Sequence, residues 1–334
     1  MDSDKTRGRL KKLAGLLISI ATIVVIFELT ETNLTWNLLA EAQLCFIVLA
    51  LLFHVLFWLF WAIRLKLLCA FLNQTISVGY ALETVLASSF LAAITPSSVG
   101  GEPVRIKMLA DRGASIGSAS AIVVAERMLD AIFFLVALSL FIALSGFSAK
   151  LGLEVGVTFL GLLALCIAFL VLAIQNPHWA DRILDKIHPF LKRLVKEKRA
   201  ERAGTFLKNE VRLFSDASIE LTNNSYRRIA PVMLLTAAIW LPEFLVPSAV
   251  LLAFRQDPFV LYSITSQVII VIISLLPLTP GSSGIAEGSM VYLYSRFVTA
   301  YTLGVLVGVW RGITYFSNLI IGFIVTARML KTQL

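Results

Sequence analysis

Thr95-Pro96-Ser97-Ser98-Val99-Gly100-Gly101-Glu102-Pro103-Val104-Arg105 and Thr279-Pro280-Gly281-Ser282-Ser283-Gly284-Ile285-Ala286-Glu287-Gly288 are the two stretches on which the fold turns. Each interrupts apolar sequence, with lead-ins of about helical length at 79–94 and 259–278. Proline stops an incoming helix and glycine relieves the turn, so Pro96, Pro280 and Gly281 are read as helix breaks that each join two half-helices. The small hydroxyl and glycine residues around them leave backbone N–H groups free to face an anion.

Working outward, the composition places both breaks in a membrane. The chain has 334 residues, 58% hydrophobic and only 15% charged, with a mean hydropathy of +0.86. Several nearly uncharged runs exceed the ~18 residues of a membrane-spanning helix. The alternating segments of about ten residues that mark a membrane β-barrel do not occur. A net charge of +8 admits nucleic acid as a partner, but the basic residues sit in loops and in the N-terminal arm, where they set membrane orientation instead. Cys45, Cys69 and Cys166 lie in or beside apolar stretches without redox or metal spacing, and His54, His178 and His188 are scattered. No metal, no cofactor and no enzymatic activity are expected, because no nucleophile, base or metal set clusters in the sequence.

Taken in order, a basic arm (Lys5, Arg7, Arg9, Lys11, Lys12) precedes a first helix at 10–29, followed by Glu-Leu-Thr-Glu-Thr-Asn rather than a cleavage site. A second helix at 38–63 ends at Arg64 and Lys66. The run 79–94 meets the first break, and 102–112 is too charged to continue across lipid, so this unit reads as a re-entrant hairpin. Crossings at 115–144 and 153–174 follow. The basic stretch 176–228 is expected to form one or two amphipathic helices on the cytoplasmic face. The second half repeats the plan with a crossing at 229–253, a hairpin of 259–278 and 284–296, and a last crossing at 299–326.

The expected fold is an all-α polytopic membrane protein with six full transmembrane helices and two re-entrant helical hairpins, both termini cytoplasmic, in the cytoplasmic membrane. It places every Lys and Arg on the cytoplasmic side except Lys150, Arg255 and Arg296 outside and Arg127 and Arg311 within helices. Eight full crossings fit the charges less well.

A constant spacing of 184 residues separates Thr95 from Thr279, Pro96 from Pro280, Gly100 from Gly284 and Arg127 from Arg311. The two hairpins enter from opposite faces in this topology. The pattern therefore reads as an inverted-topology repeat, 38–145 and 229–328, with 153–228 linking the halves. Transporters built this way bind their substrate near the midplane, between the repeats.

At these motifs the sequence resembles the lysylphosphatidylglycerol synthase transmembrane-region family, also called flippase-like integral membrane proteins. The resemblance rests on Pro96–Arg105 (P-x-x-x-G-G-E-P-x-R), Glu126-Arg127-x-x-Asp130, Pro277–Glu287 (P-x-x-P-G-x-x-G-x-x-E) and Arg311 with Tyr315. It implies movement of lipid-linked or lipid head-group substrates between leaflets. Membrane helices use up the chain, so the soluble aminoacyl-transferase domain of the namesake proteins is not expected, and neither is synthesis of a lysyl-lipid. Ser97 and Ser98 stand where the family often has glycines.

Charged groups inside lipid are costly unless paired or hydrated, so those in the apolar body call for a role. Ser97, Ser98, Gly100, Gly101, Arg105, Arg127, Ser282, Ser283, Gly284 and Arg311 are the candidate phosphate cradle, since arginine grips phosphate with two parallel hydrogen bonds. Glu102, Glu126, Asp130 and Glu287 are candidates for proton coupling or ion pairing. Glu126 and Asp130 share a helix face, so each needs an arginine or a proton. The reading is a transporter of a phospholipid or polyprenyl-phosphate-linked lipid, working by alternating access. Alternatives are a secondary transporter of a small anion, or a non-transporting scaffold that assists a lipid-synthesis enzyme. A lipid substrate, such an enzyme and a second copy of the chain are the candidate partners; nucleic acid is not.

Overall fold

Every element among the described residues is a helix. The computed structural model describes residues 20–21, 24–25, 40–95, 100–147, 149–175, 197–222, 226–275, 279 and 281–332. The first expected crossing and residues 176–196 lie almost wholly or wholly outside that set. The helices are α1 (Leu44–Phe71), α2 (Val78–Ile94), α3 (Gly101–Ala110), α4 (Ile116–Ser145), α5 (Ala149–Gln175), α6 (Glu197–Thr222), α7 (Tyr226–Ala253), α8 (Val260–Ser274), α9 (Ile285–Tyr294), α10 (Ala300–Arg311) and α11 (Ser317–Thr332). A five-residue π-helical segment, Gly312–Phe316, joins the last two. Leu44–Phe71, Ile116–Ser145, Arg228–Ala253 and Ala300–Met329 are long and apolar enough to cross a membrane, while α2 and α8 are shorter apolar helices. The chain is an integral membrane protein.

Local sequence explains where the short helices stop. Ser77 caps α2 by accepting the Tyr80 N–H at 3.1 Å. At the other end Thr95 turns extended, and its hydroxyl donates to the Leu91 carbonyl at 2.7 Å while accepting the Gly100 N–H at 2.9 Å. One side chain thus ties the end of α2 to the start of α3. On the second break Ser282 performs part of the same task, donating to the Ser274 carbonyl left open at the end of α8, at 2.6 Å. Both breaks then start a ten-residue helix directly after glycine.

The packing centres on one pair of helices. α1 and α7 make the most extensive contact and run antiparallel, since Gln43 bonds to Ala253, His54 to Glu243 and Arg64 to Thr236. α2 packs on its own α3 and on α11 of the other half; α8 packs on its own α9 and on α4. Gly322 permits the α2–α11 approach, because a Cβ there would stand 2.5 Å from the Leu86 carbonyl oxygen. Lipid is as apolar as leucine, so close approach of this kind, rather than water exclusion, holds such helices together. Buried apolar side chains form two clusters. One surrounds α8, α9 and α10, and the other surrounds α2, α3 and the second half of α1; Trp240 packs against both.

One feature differs from the sequence expectation. α1 continues through Arg64 to Phe71, and Arg64 is 1% exposed instead of marking the water boundary. Two carboxylates and a hydroxyl take up its two terminal nitrogens inside the bundle, so the charge is paired without solvent even though its Nε has no partner. Of the basic segment, residues 197–222 form one long amphipathic helix, α6, lying on α4, and Tyr226–Arg228 begin α7.

Candidate functional site

The two breaks meet. The Gly281 N–H donates to the Thr95 carbonyl at 3.1 Å, and the Tyr315 hydroxyl donates to the Ala93 carbonyl at 3.1 Å. These carbonyls are left without helical partners where α2 ends; Gly281 of the second break and Tyr315 of the π-helical segment supply donors for them. Gly281 has a positive φ of 57°, and a Cβ on it would lie 2.5 Å from the Ala93 oxygen and 2.8 Å from Tyr315 Cε2. Glycine is thus required twice over, by backbone conformation and by space. The π-helical segment delivers Tyr315 to this junction; a wide turn of this sort inside an α-helix commonly marks a working part of a protein.

Each break also carries a glutamate in the first turn of its outgoing helix, held by an arginine on the helix that follows. In the second half Glu287 accepts Arg311 Nε at 2.9 Å and Nη2 at 3.0 Å, and its Oε2 also takes the Gly284 N–H at 2.7 Å. The carboxylate therefore occupies the start of α9, where an anion is favoured. Both side chains are buried, and the arginine lies over the rings of Trp310 and Tyr315. In the first half Glu102 meets Arg127 at 3.4 Å, but both are about one-third exposed. The same relation is tight and buried at one break, loose and open at the other.

A third group of charges lies between α1, α3 and α4. Arg105 donates to Glu126 at 2.7 Å and to the Ser88 hydroxyl at 3.2 Å. Arg64 donates to Asp130 at 2.6 Å and to Thr236 at 3.1 Å, with Glu126 3.5 Å away. The indole N–H of Trp61 bonds to Glu126 and that of Trp240 to Asp130, each at 2.9 Å. Two cations and two anions balance, which is what makes burial of all four tolerable. Arg127 touches the edge of this group, 3.5 Å from Asp130.

The structure thus brings together Gly100, Gly101, Gly281, Ser282, Ser283 and Gly284 at or beside the breaks, with Glu102, Arg127, Glu287 and Arg311 attached to them. Gly101 packs against α2, its would-be Cβ 2.6 Å from the Ser88 carbonyl oxygen. Among the described residues, the buried hydroxyls of Thr279 and Ser283 have no hydrogen-bond partner. Arg105, Glu126 and Asp130 instead belong to the buried four-charge group. Pro96, Ser97, Ser98 and Pro280 lie outside the described residues.

Two participants carry little signal in the sequence. Arg64 reads as a helix end; the apolar residues continuing through Leu67-Leu68-Cys69-Ala70-Phe71 are the available sign that the helix goes on. His54, one of three scattered histidines, bonds to Glu243 at 2.7 Å, with its other ring nitrogen buried and unpartnered. Nothing in the sequence links residues so far apart.

The family model described as the lysylphosphatidylglycerol synthase TM region matches residues 12–322. A UPF0104 membrane protein of Archaeoglobus fulgidus is 43% identical over 328 residues, covering 96% of this chain and 100% of the relative. A UPF0104 membrane protein of Pyrococcus horikoshii is 24% identical over 289 residues, or 83% of this chain and 85% of the relative.

Proposed function

The chain belongs to the lysylphosphatidylglycerol synthase transmembrane-region family, and on that premise we propose that it moves a phosphate-bearing lipid between leaflets of the cytoplasmic membrane. It does so as a transporter, not an enzyme, with both termini cytoplasmic. The observation that carries the reading is the direct contact of the two breaks, each with its own glutamate–arginine pair.

The halves are related as inverted repeats, the breaks being the tips of two re-entrant hairpins. Element boundaries support this. Adding the 184-residue spacing to Gly101–Ala110 gives 285–294, the bounds of α9, and adding it to Ile116 gives the first residue of α10. The equivalent helices α1 and α7 lie antiparallel against one another, as an axis in the membrane plane requires.

Glu287 holds the place of the substrate. Its carboxylate takes from Arg311 and the α9 N-terminus the contacts that a phosphate would take, so protonating Glu287 frees a two-point phosphate grip. Glu102 and Arg127 repeat the arrangement at the other tip. Alternating access then consists of parting the tips, by breaking the Gly281–Thr95 and Tyr315–Ala93 hydrogen bonds, while the lipid tails remain outside. Arg127→Ala and Arg311→Ala in proteoliposomes test this. Translocation of a labelled phospholipid is expected to fall at least tenfold in each; an unchanged rate removes the cradle.

A further inference from the structure

Away from the two breaks, α1, α4, α5, α6 and α7 line a half-open apolar chamber of about 370 Å³. Its floor is a stripe of α4 at helical spacing, Ala121, Ala125, Met128 and Ile132, where the alanines leave the room. α6 roofs it with Phe214 and Leu221. Gly117 lets the two helices touch, since a Cβ there would collide with the Glu210 carbonyl, and the Glu210 carboxylate accepts the Gly117 N–H at 2.6 Å.

The two ends of the chamber differ. At one, Arg228 lies with its guanidinium over the Phe71 ring, 5.4 Å from the centroid. At the other, Leu68 and Val232 sit one helical turn from Arg64 and Thr236, which hydrogen-bond to each other and close the space with the buried charges. Ile132, Ile167 and Ile229 line the chamber and are exposed, and the chamber itself is not closed off. The chamber therefore opens onto the face that bilayer lipid covers.

We propose that this chamber holds one acyl chain of an anionic phospholipid, with the phosphate on Arg228. At ~30 Å³ for a water-sized group it takes about a dozen, the scale of a single chain. An apolar space left empty would forfeit dispersion contacts on every wall, and a hydrocarbon chain restores them. The proposal rests on the lipid reading of the protein, yet it concerns occupancy of a site and not transport.

The test is photolabelling in nanodiscs with phosphatidylglycerol carrying a diazirine midway along one acyl chain, mapped by mass spectrometry. Label is expected on Met128, Ile132 and Phe214 at several times its level on the outward-facing Val136 and Leu140. Ala125→Phe is expected to lower chamber labelling at least fivefold and leave Val136 and Leu140 unchanged; Ala121→Val is the milder filling variant should the first fail to fold. With phosphatidylcholine as carrier, labelling falls, and Arg228→Gln removes the difference between the two lipids. Chamber labelling no higher than on the outer face, or unaffected by filling, overturns the proposal, and equal labelling by both lipids in the unsubstituted protein overturns its anionic part. No flux is measured, so a chamber that labels while Arg127→Ala and Arg311→Ala translocate normally refutes the transport reading alone.

Discussion

Gly281 donates its backbone N–H to the Thr95 carbonyl at 3.1 Å, which makes one junction of two breaks lying in opposite halves of the chain. At its closest point the junction is backbone against backbone, and its geometry depends on a glycine that no other residue replaces without movement.

Gly281→Ala is therefore expected to be more destabilising than Gly113→Ala. Both glycines have positive φ, 57° and 95°, so each substitution strains the backbone by about 1–2 kcal/mol. Only at Gly281 does the added methyl group also meet atoms, since nothing lies within 4 Å at Gly113. Melting temperatures of the two variants in the same detergent check this; equal losses would mean that the junction relaxes freely.

Arg311→Met strands the buried Glu287 and is expected to cost about 3–5 kcal/mol. Adding Glu287→Gln recovers much of the loss, because the uncompensated charge is gone. Arg127→Met, at an exposed pair, costs about 0–1 kcal/mol. A double-mutant cycle on denaturant midpoints measures the contrast, and additive effects at Glu287 and Arg311 would contradict it.

Arg64→Met is expected to rank among the most damaging substitutions in α1, leaving Asp130 without its closest cation. Arg64→Lys rescues little, because a single ammonium lacks the fork whose Nη1 holds Asp130 and Thr236 while Nη2 reaches the second Asp130 oxygen and Glu126. Lys66→Met, two residues on and exposed, stays within about 0.5 kcal/mol of the parent. Thermal stability of the three variants decides whether Arg64 belongs to the interior.

Gly117→Leu is expected to lift α6 from α4, since a side chain there meets the α6 backbone itself. Faster amide hydrogen exchange across Glu197–Thr222, with little change in α8 and α9, is the signature. Glu210→Gln, which keeps a carbonyl acceptor for the Gly117 N–H, is expected to have a smaller effect of the same kind.

Proline, glycine and a constant spacing make the two breaks and their pairing legible in the amino-acid sequence itself. Those signals are local or periodic, and a chain shows them directly. Partner choice among buried charges is neither. Arg105 sits in the first motif, yet its guanidinium turns to Glu126 on α4, while Arg127, next to that glutamate, reaches back to Glu102. The direction a side chain takes depends on how α3 lies against α4, while its close approach to α2 is set at Gly101. Arg64 is illegible for a related reason: a cation at the end of an apolar run marks a membrane boundary unless the fold supplies carboxylates, and those come from α4. The His54–Glu243 contact likewise exists only because α1 and α7 pack antiparallel.

Locking the junction measures most directly whether the two breaks form one site that must open. With Cys45, Cys69 and Cys166 replaced by serine, Thr95→Cys and Ser282→Cys would be bridged by a short bifunctional thiol reagent that dithiothreitol cleaves. Lipid translocation in proteoliposomes is expected to fall to background on bridging and to return on reduction, while the rate of either single-cysteine variant does not change when the reagent is added. Unchanged translocation in a fully bridged sample would contradict the junction as the moving part.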